Sequence, residues 1–308
     1  MKRFSVIGFM MVFAAVSLQA ANENWMAGLP DSMPVCRVSI PGTHDSGTAG
    51  VRFPMRHYAR TQTMNLSEQW EAGIRFFDLR PKLDGDELKI YHGPANCHLT
   101  LEEALAILID KLELNPTEFC IIMTNSAGGG QKAVDMTMDL ISAVVPSKML
   151  AYFRPDLTVA DIRGRMLFMH RNAPSAGIDY PGVVTRGWPG NGMSRQARIV
   201  SSEGVGATLW AQDFFTNGSR DGESYLKSKW DNMYRLMRAL DGADDKVWCI
   251  NHASGYTGTG VSTNIRRNAQ TINKHLLDYL LENRSTVGII PMDFPSQELI
   301  DAIVDCNK

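Results

Sequence analysis

Short apolar segments alternate along the chain with longer segments whose apolar residues recur at helical spacing. Most of the short segments are apolar throughout, which is typical of parallel strands buried on both faces. Such strands are predicted at 35–40, 74–80, 119–123, 166–169, 207–212, 246–250 and 287–291. Alternation of these strands with helices predicts an α/β protein built on a parallel sheet.

The intervening segments carry helix start and stop signals. Residues 65–72 form a predicted helix that Gly73 ends, and Thr100 with Glu103 forms a capping-box pattern that opens another helix. Further helices are predicted at 132–145, 158–162, 224–240 and 265–282. Six or seven buried strands in one domain predict a single distorted TIM-type (β/α) barrel. A doubly wound open sheet is the alternative, but no glycine-rich phosphate turn follows the first strand.

The N-terminus has the pattern of a secretory signal peptide. Lys2 and Arg3 precede the apolar run 6–16, and Ala20 stands at the expected cleavage position. An uncleaved anchor is the alternative, although the run is short for a membrane span. We therefore predict a signal peptide at 1–20 and a barrel domain at 21–308. The mature chain is expected to be exported, either secreted or periplasmic, with no transmembrane segment.

Charge and cysteine content bear on nucleic-acid binding and on disulfide bridges. The 33 acidic and 31 basic residues nearly balance, which argues against a nucleic-acid partner. The five cysteines show no C-x-x-C pair, and those in apolar segments are predicted to be small core residues rather than bridges. We expect a monomer.

Polar residues follow nearly all the predicted strands. The carboxyl ends of barrel strands converge on one mouth, where active sites are built. The residues at these positions are His44, Arg80, His92, Asn125, Arg171, Asp213, His252 and Asp293. We therefore predict one polar site at that mouth.

The residue types favour phosphodiester chemistry over a metal site. A metal could be held by Asp45, Asp78 and a histidine, but Arg80 and Arg171 bring fixed positive charge to the same mouth. Guanidinium groups match phosphate oxygens. Two histidines can then divide the proton transfers, one as general base and one as general acid.

Three motifs carry a family resemblance. Ser-Ile-Pro-Gly-Thr-His-Asp-Ser-Gly at 39–47, Phe-Asp-Leu-Arg at 77–80 and His-Gly-Pro at 92–94 resemble the bacterial phosphatidylinositol-specific phospholipases C of the X-domain superfamily. The resemblance implies a distorted TIM barrel that cleaves phosphatidylinositol at a membrane surface, with no metal and no cofactor. Attack by the inositol 2-OH would give diacylglycerol and inositol 1,2-cyclic phosphate, and a slower hydrolysis of the cyclic phosphate would follow.

The resemblance also implies a role for each site residue. His44 matches the general base, His92 the general acid, Arg80 the arginine on the phosphate, Asp293 the carboxylate that orients the base, and Asp45 the carboxylate on the acid side. Asp78 is expected to hold Arg80. Arg171 and Asp213 match residues that grip inositol hydroxyls, and Phe215 stands where the family stacks a tyrosine under the ring.

Two departures concern the headgroup. The family has a lysine just after the strand that matches 119–123, where this chain reads Thr124-Asn125-Ser126-Ala127, so that charge is missing or supplied by another residue such as Lys132. Phe215 keeps a flat apolar face without the hydroxyl. Two alternatives therefore stay open: a phosphodiesterase acting on a glycosylated inositol lipid or a glycerophosphodiester, and a non-catalytic lipid- or sugar-binding barrel.

Overall fold

A computed structural model describes residues 22–218, 221–258 and 263–308. The predicted signal peptide lies outside the described residues. The described strands, numbered in chain order, are β1 Ile40–Thr43, β2 Phe76–Leu79, β3 Pro81–Asp84, β4 Glu87–His92, β5 Ala95–Thr100, β6 Cys120–Thr124, β7 Met166–His170, β8 Val183–Arg186, β9 Met193–Ser201, β10 Gly206–Gln212, β11 Trp248–Asn251 and β12 Ile289–Met292. The described α-helices are α1 Arg56–Ala59, α2 Leu66–Ala72, α3 Leu101–Leu114, α4 Gly130–Val144, α5 Val159–Ile162, α6 Gly222–Leu240, α7 Ile265–Glu282 and α8 Gln297–Asp305.

Nine of these strands close into a barrel in the order β1-β12-β11-β10-β9-β8-β7-β6-β2. Every pairing in the barrel is parallel except the two made by β9. The predicted α/β barrel is therefore confirmed. Its distortion comes from the β8–β9 hairpin, which the sequence did not reveal. The described chain from β7 to β10 contains no helix, whereas a regular barrel has one between successive strands.

The first strand begins later than predicted. Residues Val35–Arg37 form a 3-10 helix, and the barrel strand is Ile40–Thr43. Pro41 is therefore inside the strand instead of ending it. This is tolerated because β1 pairs with β2 only from Gly42 onward, so the missing N–H of Pro41 costs no bond to β2.

The helix boundaries agree closely with the end signals in the sequence. Asn65 and Thr100 form complete capping boxes with Glu68 and Glu103, and Gly73 ends α2 at a φ of 109°. None of the described helices is long and apolar enough to cross a membrane. All five cysteines are buried free thiols, so none of them forms a bridge.

A small antiparallel sheet of order β3-β4-β5 joins the barrel at its mouth. Strands β4 and β5 contact the turn Ser46–Gly50 that follows β1. His92 is therefore delivered by the end of β4 in this sheet, and not by a barrel strand as the strand-end argument assumed. His92 nevertheless meets the residues at the barrel strand ends, because the small sheet packs against the turn that follows β1.

Candidate active site

The carboxyl ends of the barrel strands surround one cavity of about 640 Å³. Most of the predicted site residues line it, namely His44, Arg80, His92, Asn125, Arg171, Asp213, Phe215 and Asp293. Asp45 and Asp78 are buried beside Arg80, within ion-pair distance of its guanidinium. The structure therefore brings these candidates together at one mouth, whereas His252, also predicted there from its strand end, is buried and is not among the residues that line the cavity.

Tight packing fixes the loop that carries His44. A Cβ on Gly42 would lie 2.8 Å from the Phe76 ring, so only glycine fits there. At the end of the strand, the hydroxyl of Thr43 hydrogen-bonds the hydroxyl of Ser46 and donates to the side-chain oxygen of Gln69. Asp45 adopts a left-handed conformation with a φ of 47°. Such strain in a non-glycine residue persists only where surrounding contacts enforce it, as is common at functional sites.

Hydrogen bonds select the tautomer of His44. Its Nδ1 lies 2.8 Å from Asp293 Oδ1, and its Nε2 lies 2.8 Å from Arg80 Nη2. Because a guanidinium can only donate, the second contact requires a lone pair on Nε2. The proton of neutral His44 is then on Nδ1, donated to Asp293, and Nε2 is the free basic atom.

Opposing influences set the pKa of His44. Burial lowers it, but the carboxylates of Asp45 and Asp293 outweigh burial and raise the pKa to about 9. The imidazole tip remains accessible, since 16% of the side chain is exposed to the cavity. His44 is therefore a strong base that must lose a proton before it can accept one.

Arg80 bridges two buried carboxylates. Its Nε lies 2.7 Å from Asp45 Oδ1, and its Nη2 lies 3.0 Å from Asp78 Oδ2, as predicted for Asp78. Burial favours a raised pKa for Asp78, but Arg80 and then His44 overcome it and hold that pKa well below its usual range. Asp78 therefore stays ionised, and the contacts with Asp45 and Asp78 fix the guanidinium at the cavity wall.

His92 approaches the same carboxylate from the other side. Its Nδ1 lies 3.3 Å from Asp45 Oδ2, and 25% of its side chain is exposed. The rings of His44 and His92 are 6.3 Å apart between centroids and nearly perpendicular. Two imidazoles therefore flank one small volume, with Arg80 beside them.

Another part of the cavity wall is formed by Arg171 and Asp213, and Trp188 joins them in one cluster. The Arg171 guanidinium stacks 3.9 Å from the centroid of Trp188, and its Nη1 lies 3.6 Å from Asp213 Oδ2. Trp188 donates a 2.9 Å hydrogen bond from Nε1 to the same carboxylate. Burial tends to raise the pKa of Asp213, but the hydrogen bond from Trp188 and the nearby charge of Arg171 lower it overall. The cluster offers cationic and anionic groups that suit a polyhydroxylated ligand.

Some positions differ from the suggestions made from sequence. Lys132 is exposed on α4 and does not line the cavity, so it does not supply the missing charge after β6. Asn125 lines the cavity there, while Ser126 donates its backbone N–H to Asn172. Phe215 stacks on Tyr256, with centroids 6.1 Å apart. Two stacked aromatic rings therefore lie at this position, where a single flat face was expected.

His252 had no predicted role. The structure places its ring 6.0 Å from that of His44 and 5.8 Å from that of Trp188. Burial lowers its pKa to about 3, so the ring stays neutral. Its position after β11 was the available signal. His170 is also buried and neutral, because burial lowers its pKa to about 4, whereas His57 and His98 are exposed.

The geometry could also suggest a metal. His44, Asp45 and Asp78 offer ligand atoms within 4.8 Å of one another. Arg80, however, already contacts both carboxylates and His44 Nε2. The positive charge that a cation would bring is therefore built into the chain at this point.

Comparison with known proteins supports the resemblance seen in the motifs. No protein-family model matches the chain. A 1-phosphatidylinositol phosphodiesterase from Listeria monocytogenes is 27% identical over 298 residues, covering 93% of this chain and 85% of that protein. One from Staphylococcus aureus is 30% identical over 130 residues, which is 42% of each protein. The human PI-PLC X domain-containing protein 3 is 36% identical over 133 residues, covering 41% of that protein.

Solved structures show the same fold. A phosphatidylinositol-specific phospholipase C from L. monocytogenes superposes with a TM-score of 0.74 at 24% identity, covering 93% of this chain and 99% of that one. One from S. aureus gives a TM-score of 0.79 at 20% identity and covers 94% and 99%. The predicted resemblance in sequence and fold to the bacterial phosphatidylinositol-specific phospholipases C is thus confirmed.

Proposed function

Because the chain is similar to bacterial phosphatidylinositol-specific phospholipases C along nearly its whole length, we propose that it is an enzyme of this type. It cleaves phosphatidylinositol to diacylglycerol and inositol 1,2-cyclic phosphate. The observation that carries the proposal is the set of contacts joining His44, Arg80 and Asp293 beside His92 on one cavity.

His44 is the general base in this proposal. Asp293 accepts the Nδ1 proton, which leaves Nε2 to remove the proton from the inositol 2-OH. Arg80 Nη2 lies 2.8 Å from the same Nε2, so the guanidinium and the base share one corner of the cavity. The anionic oxygens of a phosphodiester attract the guanidinium, which places Arg80 on the phosphate next to the base.

His92 is the general acid. The 2-oxygen attacks phosphorus, the bond from phosphorus to the glycerol oxygen breaks, and protonated His92 gives its proton to that leaving oxygen. Asp45 lies 3.3 Å from Nδ1 of His92 and stabilises the imidazolium before the transfer. Arg80 stabilises the charge that builds on the non-bridging oxygens in the transition state.

The headgroup is held by the part of the cavity wall that Arg171 and Asp213 form, which we call the headgroup wall. Arg171 and Asp213 can donate to and accept from ring hydroxyls, since both line the cavity and carry opposite charges. Phe215 offers its flat face to the inositol ring. The chemistry needs no metal, because Arg80 supplies the cation at the carboxylates of Asp45 and Asp78.

A second candidate substrate class follows from the missing charge after β6. Asn125 is neutral, and Lys132 does not reach the cavity. With neutral Asn125 in place of a lysine, this side of the cavity suits two other substrates better than a lysine would. They are a glycosylated inositol lipid and a glycerophosphodiester. The proton-transfer residues are the same for all three substrates.

The test is direct. The mature protein is incubated with phosphatidylinositol vesicles in EDTA, and the products are followed by phosphorus NMR. Inositol 1,2-cyclic phosphate should form at a rate that EDTA leaves unchanged. Activity only on another phosphodiester would overturn the substrate assignment, and loss of activity in EDTA would overturn the metal-independent mechanism.

Variants separate catalysis from binding. His44→Ala and His92→Ala should each lower kcat by about 10²–10⁴-fold, the usual contribution of one proton-transfer group. His98→Ala is the matched control, because His98 is exposed and does not line the cavity. A non-catalytic binding barrel would show no turnover in any of the four proteins.

A further inference from the structure

A lysine is buried behind the headgroup wall. Lys229 lies on α6 with none of its side chain exposed. Its Nζ lies 3.2 Å from Gln212 Oε1, and among the described residues no carboxylate comes within ion-pair distance of it. Burial lowers the pKa of Lys229 to about 7, although Asp213 and Asp293 act in the opposite direction. A buried amine costs free energy, so a fold that retains one has a use for it.

The partner of Lys229 is the residue that precedes Asp213. Gln212 Oε1 also accepts the backbone N–H of Phe214 at 2.7 Å. Its Nε2 donates to Asn251 Oδ1 and to the carbonyl of His252, both at 2.8 Å. All four hydrogen-bonding directions of this amide are used, so the amide has one orientation. It joins the ends of β10 and β11 directly beneath the cavity.

The face of α6 that carries Lys229 also contacts Phe214, the residue after Asp213. Tyr225 is one helical turn before Lys229, and its hydroxyl donates to the carbonyl of Phe214 at 3.4 Å. Gly255 admits the tyrosine, because any side chain there would collide with the Tyr225 hydroxyl. Lys229 and Tyr225 thus brace the segment 212–214 from behind, while Asp213 faces the cavity from the front.

We propose that Lys229 is a positioning residue for the headgroup wall: through Gln212 it holds Asp213 and the following turn in the geometry that receives a polyhydroxylated ring. This inference rests on the proposed function, since the ligand class is the inositol headgroup. Lys229 contacts neither substrate nor the reacting atoms. Its removal should therefore weaken binding of the headgroup much more than it slows proton transfer.

The first test compares Lys229→Met with Lys227→Met. Methionine keeps the length of the buried chain but removes its charge and donors, and Lys227 is an exposed lysine on the same helix. For Lys229→Met we expect KM for phosphatidylinositol and the inhibition constant of myo-inositol 1-phosphate to rise about tenfold, with kcat within about twofold. Lys227→Met should match the wild type. Lys229→Arg, which keeps a charged donor, should restore part of the inhibitor affinity.

A second measurement uses the unaltered chain, in case Lys229→Met does not fold. Lysine side chains are labelled with ¹³C at Cε, and spectra are recorded while myo-inositol 1-phosphate is added. The Lys229 signal should shift on binding and the Lys227 signal should not. An unmoved Lys229 signal, or unchanged KM in a folded Lys229→Met, would overturn this inference while leaving the enzyme's activity in place. Absence of turnover in the wild type would instead overturn the proposed function.

Discussion

The protonation of a single ring controls the proposed catalytic site. Asp293 holds Nδ1 of His44, and Arg80 competes with a proton for Nε2. The carboxylates of Asp45 and Asp293 overcome the effect of burial and favour the protonated form. A general base works only in its unprotonated form, so activity depends on the pH at which His44 loses this proton.

The first prediction concerns that pH dependence. The reactive form needs His44 unprotonated and His92 protonated, so kcat/KM should be bell-shaped in pH. The pKa of His44 is raised to about 9, so one of the two midpoints should lie near pH 9. Asp293→Asn removes a carboxylate that raises this pKa, so that midpoint should move to lower pH. The maximum should fall by about 10²–10⁴-fold, because the tautomer is no longer fixed. Asp278→Asn, an exposed aspartate on α7, is the control. An unmoved midpoint in Asp293→Asn would exclude His44 as the group that titrates.

Residues of the site differ in how far the sequence could reveal them. His44, Arg80 and Asp293 could be predicted because each follows an apolar strand, and a barrel gathers strand ends. Trp188 could be named only as one of several aromatic residues that could line the mouth. Its contact with Arg171 could not be predicted, since Trp188 belongs to the unrecognised β8–β9 hairpin. The sequence also contains a signal for Lys229: it lies four residues from both Tyr225 and Met233, on the face of α6 that is buried in the core.

At the scale of elements, the short α1 segment forms an exposed apolar edge of the cavity. Phe53 is 79% exposed just before α1, and Met55 and Tyr58 line the cavity. The residues from 46 to 64 contain Arg52, Arg56 and Arg60 but no acidic side chain. An aromatic and basic edge beside the entrance suits the interface of a phospholipid membrane.

Phe53→Ala should therefore reduce cleavage of phosphatidylinositol in vesicles several-fold, because apolar area that enters the lipid interface is lost. Hydrolysis of soluble inositol 1,2-cyclic phosphate should not change. Tyr152→Ala is a matched control, since Tyr152 is also 79% exposed but adjoins the amino end of β7, away from the mouth. Equal losses on vesicles and on the soluble substrate would contradict a role in membrane contact.

Element boundaries with a local chemical signal were predictable, and those without one were not. The ends of α2 and α3 follow from capping side chains and from Gly73. Strand β9 has Arg198 between its buried Ala197 and Ile199, and Gln196 precedes Ala197, so it lacks the continuous apolar run of a parallel barrel strand. Its register depends on pairing with β8 and β10, which no single segment encodes.

The cap of α3 gives a stability prediction. Thr100 accepts the backbone N–H of Glu103, and Glu103 accepts the backbone N–H of Thr100. Thr100→Ala should lower the free energy of unfolding by about 1 kcal/mol in urea titrations, with catalytic rates unchanged. Thr100→Ser keeps the hydroxyl and should be close to neutral. A full loss in the serine variant would show that the threonine methyl, and not the cap, carries the stabilisation.

At the scale of the whole molecule, function and stability occupy opposite ends of the barrel. The carboxyl ends of the strands carry the cavity, whereas Arg75 and Glu118 precede β2 and β6 at the amino end. This pair is fully buried with a 2.9 Å contact, and Arg75 also stacks on Trp70. Glu118 accepts the backbone N–H of Met26, so the pair also secures the segment that precedes the barrel.

Removing one member of this pair should damage stability without touching catalysis. Glu118→Gln leaves the Arg75 charge buried without its counter-ion, which costs about 3–5 kcal/mol in comparable pairs. The thermal midpoint should fall sharply, while kcat and KM measured well below that midpoint stay at wild-type values. The double variant Arg75→Met with Glu118→Met should lose less stability than Glu118→Gln, because it leaves no unpaired charge. If the double variant lost as much, the pair would contribute through its hydrogen bonds to Met26 and Trp70 instead of through charge.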